Sequence, residues 1–330
     1  MGMCKMRGVF SRGNTGRGLI VAITTLYAAA ALAQTKISVG EVGNGAANHW
    51  PAYIAMEKGF FKARGIALDY VSASSSSGVM QQLAAGSIDL GAGGLVDPIR
   101  AIDKGAPITL FRTEANVAPY EVYAKKEIKS WADLKGKTVM IGGIKDITRI
   151  YFERMAVPNR LLPGMYDYVF AGATAQRFSA LASGSIDATI VNPPLNFKAK
   201  NVGLTRLGAT PDYVRDFPFT GYAVSLAWAR SHRKELGEFL AAYQQGVDFF
   251  YDKANRDEAV TIAQKFLKVD RSDVEETYDF YQQLKIFDRV GLIANSGVEN
   301  LLKILKEFGD VEGSIDVARY FDPSITTPDK

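Results

Sequence analysis

From residue 36 onward two kinds of apolar pattern alternate along the chain. Short runs at 37–42, 66–71 and 88–90 have the length and branched content of buried strands, whereas 53–61 and 79–85 return an apolar residue every three to four positions. The order strand, helix, strand, helix, strand predicts an α/β sheet with helices on its faces. Gly65 and Gly86 close the helical stretches, where a residue lacking Cβ takes the left-handed conformation most cheaply. Asp97-Pro98 reads as a further helix start, with Asp97 as N-cap and proline at the first helical position. Strands are expected next at 108–111 and 121–124.

A second series repeats the first. Ser130-Trp131-Ala132-Asp133 is a variant capping box, followed by a strand at 138–141, a helix at 146–155 and a strand at 166–170. The closest echo is between Leu83-Ala84-Ala85-Gly86-Ser87-Ile88-Asp89 and Leu181-Ala182-Ser183-Gly184-Ser185-Ile186-Asp187, each a helix end, a glycine cap and a strand start. Two similar lobes follow from it. After a strand at 221–229 the pattern is helical almost to the end. Leu236, Phe239, Leu240, Tyr243, Val247 and Phe250 form one apolar stripe, and Val298, Leu301, Leu302, Leu305 and Phe308 form another. With no long linker, the lobes are joined by short crossings near 113–121 and 219–223, which together make a hinge. The expected division is 34–117 with 222–330 for lobe 1 and its C-terminal helices, and 118–221 for lobe 2.

Ahead of this pattern stands a different one. Lys5, Arg7, Arg12 and Arg17 precede an apolar run at 19–33 that is too short to span a bilayer and ends in Ala31-Leu32-Ala33. That is the layout of a signal peptide cleaved after Ala33, so residues 1–33 are set apart from the fold. The leader holds four of the 39 Lys and Arg and none of the 35 Asp and Glu, and its removal leaves 35 against 35. A formally neutral chain gives no footprint for nucleic acid or an anionic membrane. The single cysteine, Cys4, also leaves, which excludes disulfides, a thiol nucleophile, a thiolate metal site and a lipid anchor from the remainder. Residence in the periplasm, as a monomer, is the expectation.

Trp50-Pro51-Ala52-Tyr53-Ile54-Ala55, followed by Glu57-Lys58-Gly59-Phe60-Phe61-Lys62 and Gly65-Ile66, resembles the first helix of ABC-importer binding proteins grouped with nitrate, sulfonate, taurine and thiamine-pyrimidine receptors. Residues 83–89, then Trp131-Ala132-Asp133-Leu134-Lys135-Gly136-Lys137-Thr138-Val139, then residues 181–187 recur in the family's order. The resemblance covers nearly the whole chain after the leader. It implies the two-lobed type II periplasmic-binding fold, with a small-molecule solute between the lobes and a membrane permease as partner.

Ligands of open α/β sheets sit beyond the carboxyl ends of strands, near helix N-termini. In lobe 1 this selects the loops 43–50, 72–78 and 91–97, the last containing Gly94. Ser74, Ser75, Ser76 and Ser77 offer hydroxyls and backbone N–H groups suited to an anionic group, or form a polar turn with one capping serine. Asn48, His49 and Trp50 can stack on and orient a planar ligand, or Asn48 caps the helix while Trp50 packs into the lobe; the pyrimidine receptors carry a similar Asn-His pair. Asp97 is assigned to capping alone. Lobe 2 is expected to contribute Gly143, Asp146 and, if it turns inward, Arg149, together with Asn192 and Pro193, while Tyr222 lies beside the return crossing.

These residues describe a receptor that is not an enzyme and needs no cofactor or metal. The alternative is an enzyme resembling the family's pyrimidine-precursor synthases. Those carry a cysteine-rich motif that is missing here, and His49 and His232, the only histidines, stand far apart. No G-x-S-x-G, P-loop or complete G-x-G-x-x-G appears. The effector domain of a DNA-binding regulator is disfavoured by the leader and by the missing DNA-binding helices.

Overall fold

A computed structural model describes residues 34–43, 45–214, 217–291, 295–312 and 314–325. The leader read from the sequence lies outside the described residues.

β1 (Thr35–Val42) leads through α1 (Trp50–Glu57) and α2 (Phe60–Ala63) to β2 (Ile66–Ala73), then to α3 (Ser76–Ala84), β3 (Leu90–Gly94), α4 (Val96–Asp103) and β4 (Ile108–Ala115). The chain crosses to β5 (Glu121–Ala124) and continues through β6 (Thr138–Ile141), α5 (Ile147–Ala156), β7 (Asp167–Phe170), α6 (Thr174–Ala182), β8 (Ala188–Val191), α7 (Leu195–Asn201), β9 (Thr205–Ala209) and α8 (Thr210–Tyr213). It returns in β10 (Thr220–Ser225) and ends in α9 (Leu226–Ser231), α10 (Arg233–Tyr251), α11 (Arg256–Leu267), α12 (Arg271–Leu284) and α13 (Asn295–Glu307).

Two five-stranded sheets result, ordered β2-β1-β3-β10-β4 and β7-β6-β8-β5-β9. They correspond strand for strand. In each, the antiparallel strand is the one that arrives by a crossing: β10 runs against β3 and β4, and β5 runs against β8 and β9. This is the two-lobed α/β architecture, with lobe 1 around the first sheet and lobe 2 around the second.

The repeated heptad has a physical role in both lobes. Gly86 and Gly184 take φ of 71° and 77°, reversing the chain out of α3 and α6. Asp89 then accepts a hydrogen bond from the Ser38 N–H at 2.8 Å, and Asp187 accepts one from the Thr138 N–H at 3.0 Å. Each aspartate thus ties the residue before β3 or β8 to the neighbouring β1 or β6, and β3 begins at Leu90 rather than residue 88.

Other expectations shift for local reasons. Leu95, not Asp97, is the N-cap of α4, because β3 runs directly into the helix and places Asp97 within the first turn. The run expected as a strand at 221–229 pairs only through Ser225 and then coils into α9. β10 begins at Thr220, so residues 220 and 221, expected in lobe 2, pair with strands of the first sheet. The capping box at Ser130 forms, on a 3₁₀ turn at Trp131–Leu134. α10 and α11 pack on lobe 1, where a Cβ at Gly246 of α10 would collide with the Pro51 carbonyl of α1, while α12 also meets α7 of lobe 2 through Phe280 and Phe197. The close approach at Gly246 closes the core over Trp50.

Candidate functional site

Between the sheets lies a cleft of about 220 Å³. Lobe 1 lines it with the loop after β1, the start of α3, the end of β3 and the start of β10; lobe 2 lines it with the starts of α5 and α6 and the turn after β8. Both walls are therefore strand ends and helix beginnings. The walls also touch, since a Cβ on Gly172 of lobe 2 would collide with the Ser74 carbonyl of lobe 1.

Of the residues selected from sequence, Asn48, His49, Ser76, Gly94, Asp146, Asn192 and Pro193 lie on this surface. The others do not. Ser75 caps α3 by accepting from the Gly78 N–H at 3.2 Å, while Ser74 and Ser77 are exposed and point elsewhere. Gly143 turns the chain behind the cleft wall, its carbonyl accepting from the Asp146 N–H. Arg149 pairs with Glu153 one helical turn on and lies over the Phe308 ring, which holds it outside. Tyr222 is fully buried among Phe111, Phe239 and Tyr243. Trp50 faces the opposite way from the cleft: its indole donates to the Ala259 carbonyl at 2.9 Å and packs edge-on against Phe250 and Tyr278. Asn48 lines the cleft but does not cap the helix; its side-chain amide donates to Glu114 at 2.9 Å.

Behind the lobe 1 wall is a buried polar cluster that Asn48 and His49 cover. Glu114, on β4, is inaccessible to solvent. It bonds His49 Nδ1 at 2.9 Å and accepts from the Tyr243 hydroxyl at 3.3 Å, while Glu41 stands 3.6 Å from His49 Nε2. Burial alone pulls the His49 pKa down, but the Glu114 charge and hydrogen bond, with the Glu41 charge, outweigh it and leave the pKa raised above 6.5. Both ring nitrogens face carboxylates, an arrangement that suits the imidazolium.

Asp97, within the first turn of α4, is a second buried titrating group near the cleft. Burial pushes its carboxyl up, against the neighbouring Ser76 hydroxyl and the Arg100 charge, and the charge of Asp146 across the lobe interface adds to the rise, to about 6. Tyr120, Thr148, residues 172–175, Phe219, Thr220, Leu267 and Val269 also line the cleft and were missed. The rule that finds ligands beyond strand ends applies equally after β7, so the loop at 171–174 was available to it; Phe219 and Thr220 sit on the crossing, where no local pattern marks them. Among the described residues no three His, Cys, Asp or Glu side chains converge as a metal site, and no helix is long and apolar enough to cross a membrane.

A two-lobed α/β protein with a cleft between the lobes has the form of the periplasmic binding proteins, and the comparisons agree. The ligand-binding component of an ABC-type import system from Staphylococcus aureus superposes with a TM-score of 0.75 at 15% identity, covering 89% of this chain and 98% of that one. The periplasmic nitrate-binding protein of Synechocystis PCC 6803 gives 0.74 at 16% identity, covering 88% and 87%. By sequence, a Brucella abortus protein named as a binding protein is 26% identical over 91% of this chain and 94% of its own length. A Uromyces fabae 4-amino-5-hydroxymethyl-2-methylpyrimidine phosphate synthase is 23% identical over 66% and 67%. Residues 46–256 match the model of the NMT1/THI5-like family, and the chain belongs to that family.

Proposed function

We propose that this protein is the solute receptor of an ABC importer, exported by its leader, resident in the periplasm as a monomer, and handing a small molecule to a membrane permease without altering it. The observation that carries this reading is a cleft walled by both lobes, whose sheets the chain links, among the described strands, by two short crossings. A solute touching both walls favours the closed arrangement by its differential affinity, and closure is what a permease can recognise.

Small-angle scattering of the chain from Gln34 onward tests it. A solute that raises the melting temperature in a panel screen is expected to reduce the radius of gyration and to be recovered intact. Stabilisation without compaction, or turnover of the solute, counts against the receptor.

The synthase-like reading has one observation in its favour, a histidine hydrogen-bonded to a carboxylate on the cleft wall. The geometry weighs against it: both His49 nitrogens turn inward to glutamates, so neither is presented as a base to a molecule in the cleft.

A further inference from the structure

Of the helices of eight or more residues that begin at the cleft, α1 continues from a 3₁₀ turn at Ala47–His49, and α3 and α5 satisfy their own first turn with a side chain. Ser75 caps α3, and Asp146 caps α5 by accepting from the Thr148 N–H at 2.8 Å. α6 differs. Its N-cap is Ala173, which has no side-chain acceptor, and residues 172–175 line the cleft. The Gln176 and Arg177 N–H groups bond back to the Ala173 carbonyl, so the N–H groups of Thr174 and Ala175 are the ones a helix start leaves without an intrahelical partner. They carry the positive end of the helix dipole.

Two further observations point the same way. Arg177, one turn into α6, is 1% exposed and donates to the carbonyls of Ile190, Ala171 and Gly172 and to the Thr174 hydroxyl, at 2.6–3.0 Å. Among the described residues no carboxylate pairs with it, which leaves a buried cation balanced by dipoles alone. From the lobe 1 side, Thr220 also lines the cleft; it is 3% exposed, and its hydroxyl has no hydrogen-bond partner among the described residues. No Lys or Arg among the described residues lines the cleft, and Asp146, the one lining carboxylate, is engaged by the Thr148 N–H and hydroxyl.

We propose that the start of α6, backed by Arg177 and completed by the Thr220 hydroxyl, is the subsite for a carboxylate on the solute. Two free N–H groups match two carboxylate oxygens, and the charge is met by a helix terminus and a buried guanidinium rather than by an ion-pairing side chain. This rests on the receptor reading.

The test is Ala173→Asp, which supplies the missing cap internally and occupies the subsite with the protein's own carboxylate, beside Ala173→Asn, which caps without charge. Short and aromatic carboxylates, each with its sulfonate and its neutral amide, are titrated by calorimetry and thermal shift. Wild type is expected to prefer the carboxylates. Ala173→Asp is expected to raise the melting temperature of the empty protein by about 2 °C and to weaken carboxylate binding tenfold or more, with Ala173→Asn intermediate. Unchanged carboxylate affinity in Ala173→Asp, or a wild-type preference for sulfonates or amides, overturns the subsite while leaving the receptor standing. Failure of wild type to bind any carboxylate of the panel also overturns the subsite, while the receptor reading is decided separately by compaction and intact recovery of a bound solute.

Discussion

The two lobes share a strand order and a repeated heptad, yet they wall the cleft with different materials. Lobe 1 presents side chains fixed from behind: Asn48 and His49 are held by Glu114 and Glu41, in a cluster that Tyr243 closes. Lobe 2 lines the cleft with the starts of α5 and α6 and the turn at 192–194, with no buried carboxylate cluster behind them comparable to Glu41 and Glu114 among the described residues. Lobe 1 pairs its buried charges with one another, Glu114 and Glu41 against His49, whereas lobe 2 holds its buried Arg177 on backbone carbonyls. The second arrangement draws on carbonyls and helix ends, whose geometry comes with the fold. Preorganisation in one wall is therefore electrostatic, and in the other it is architectural.

The comparison breaks most severely at lobe 1. Trp50→Ala empties an aromatic site beneath α10, α11 and α12 and removes the indole hydrogen bond to the Ala259 carbonyl; it is expected to cost about 3–5 kcal/mol in chemical denaturation. A loss near zero would place Trp50 on the ligand side after all. His49→Ala removes the partner of a buried carboxylate, with an expected cost of about 3–4 kcal/mol, and Glu114→Gln in the same chain should restore part of it. Because the His49 pKa is raised on folding, its stabilisation is complete below pH 6.5 and is lost as the pH climbs through the folded-state value. His49→Ala should flatten that slope.

Asp97→Asn sharpens the comparison from the interface between the lobes. A carboxyl raised from 3.8 to about 6 favours the folded state in its protonated form, and that contribution disappears as the pH rises between those values. The amide is therefore expected to gain about 1–2 kcal/mol at pH 7 and to remove the pH dependence between 4 and 6. The smallest effect on stability is expected at Gly172→Ala, which leaves both cores intact but sets a methyl against the Ser74 carbonyl. Scattering should then show a chain that stays expanded in the presence of a solute that compacts the wild type.

What was legible in the sequence follows the same division. Alternating apolar runs and glycine stops give the sheets, and the heptads at 83–89 and 181–187 mark the repeat because chain reversal demands glycine and the strand start needs a capping aspartate. Site residues were legible where a loop rule singles out few positions, as at Asn48, Ser76, Asp146 and Asn192. They were misread where helix phase decides. Trp50 and Arg149 are polar-loop neighbours in sequence, but a turn of helix carries one into the core and the other onto Phe308. Ala173 gave no signal because its significance is a missing side chain, and Glu114 gave none because a glutamate inside a strand pattern does not announce the histidine 65 residues earlier in sequence.

The position of β10 governs the order in which the molecule can be assembled. It lies between β3 and β4, so the first sheet remains two separated pieces until residue 220 and its successors are available. The second sheet needs only residues 121–209, a continuous stretch. Loop closure across more than a hundred residues is slow relative to pairing within such a stretch. Pulse-labelled amide exchange during refolding should thus find lobe 2 protected first and β4 last, a chain that begins at one lobe but finishes the other before it.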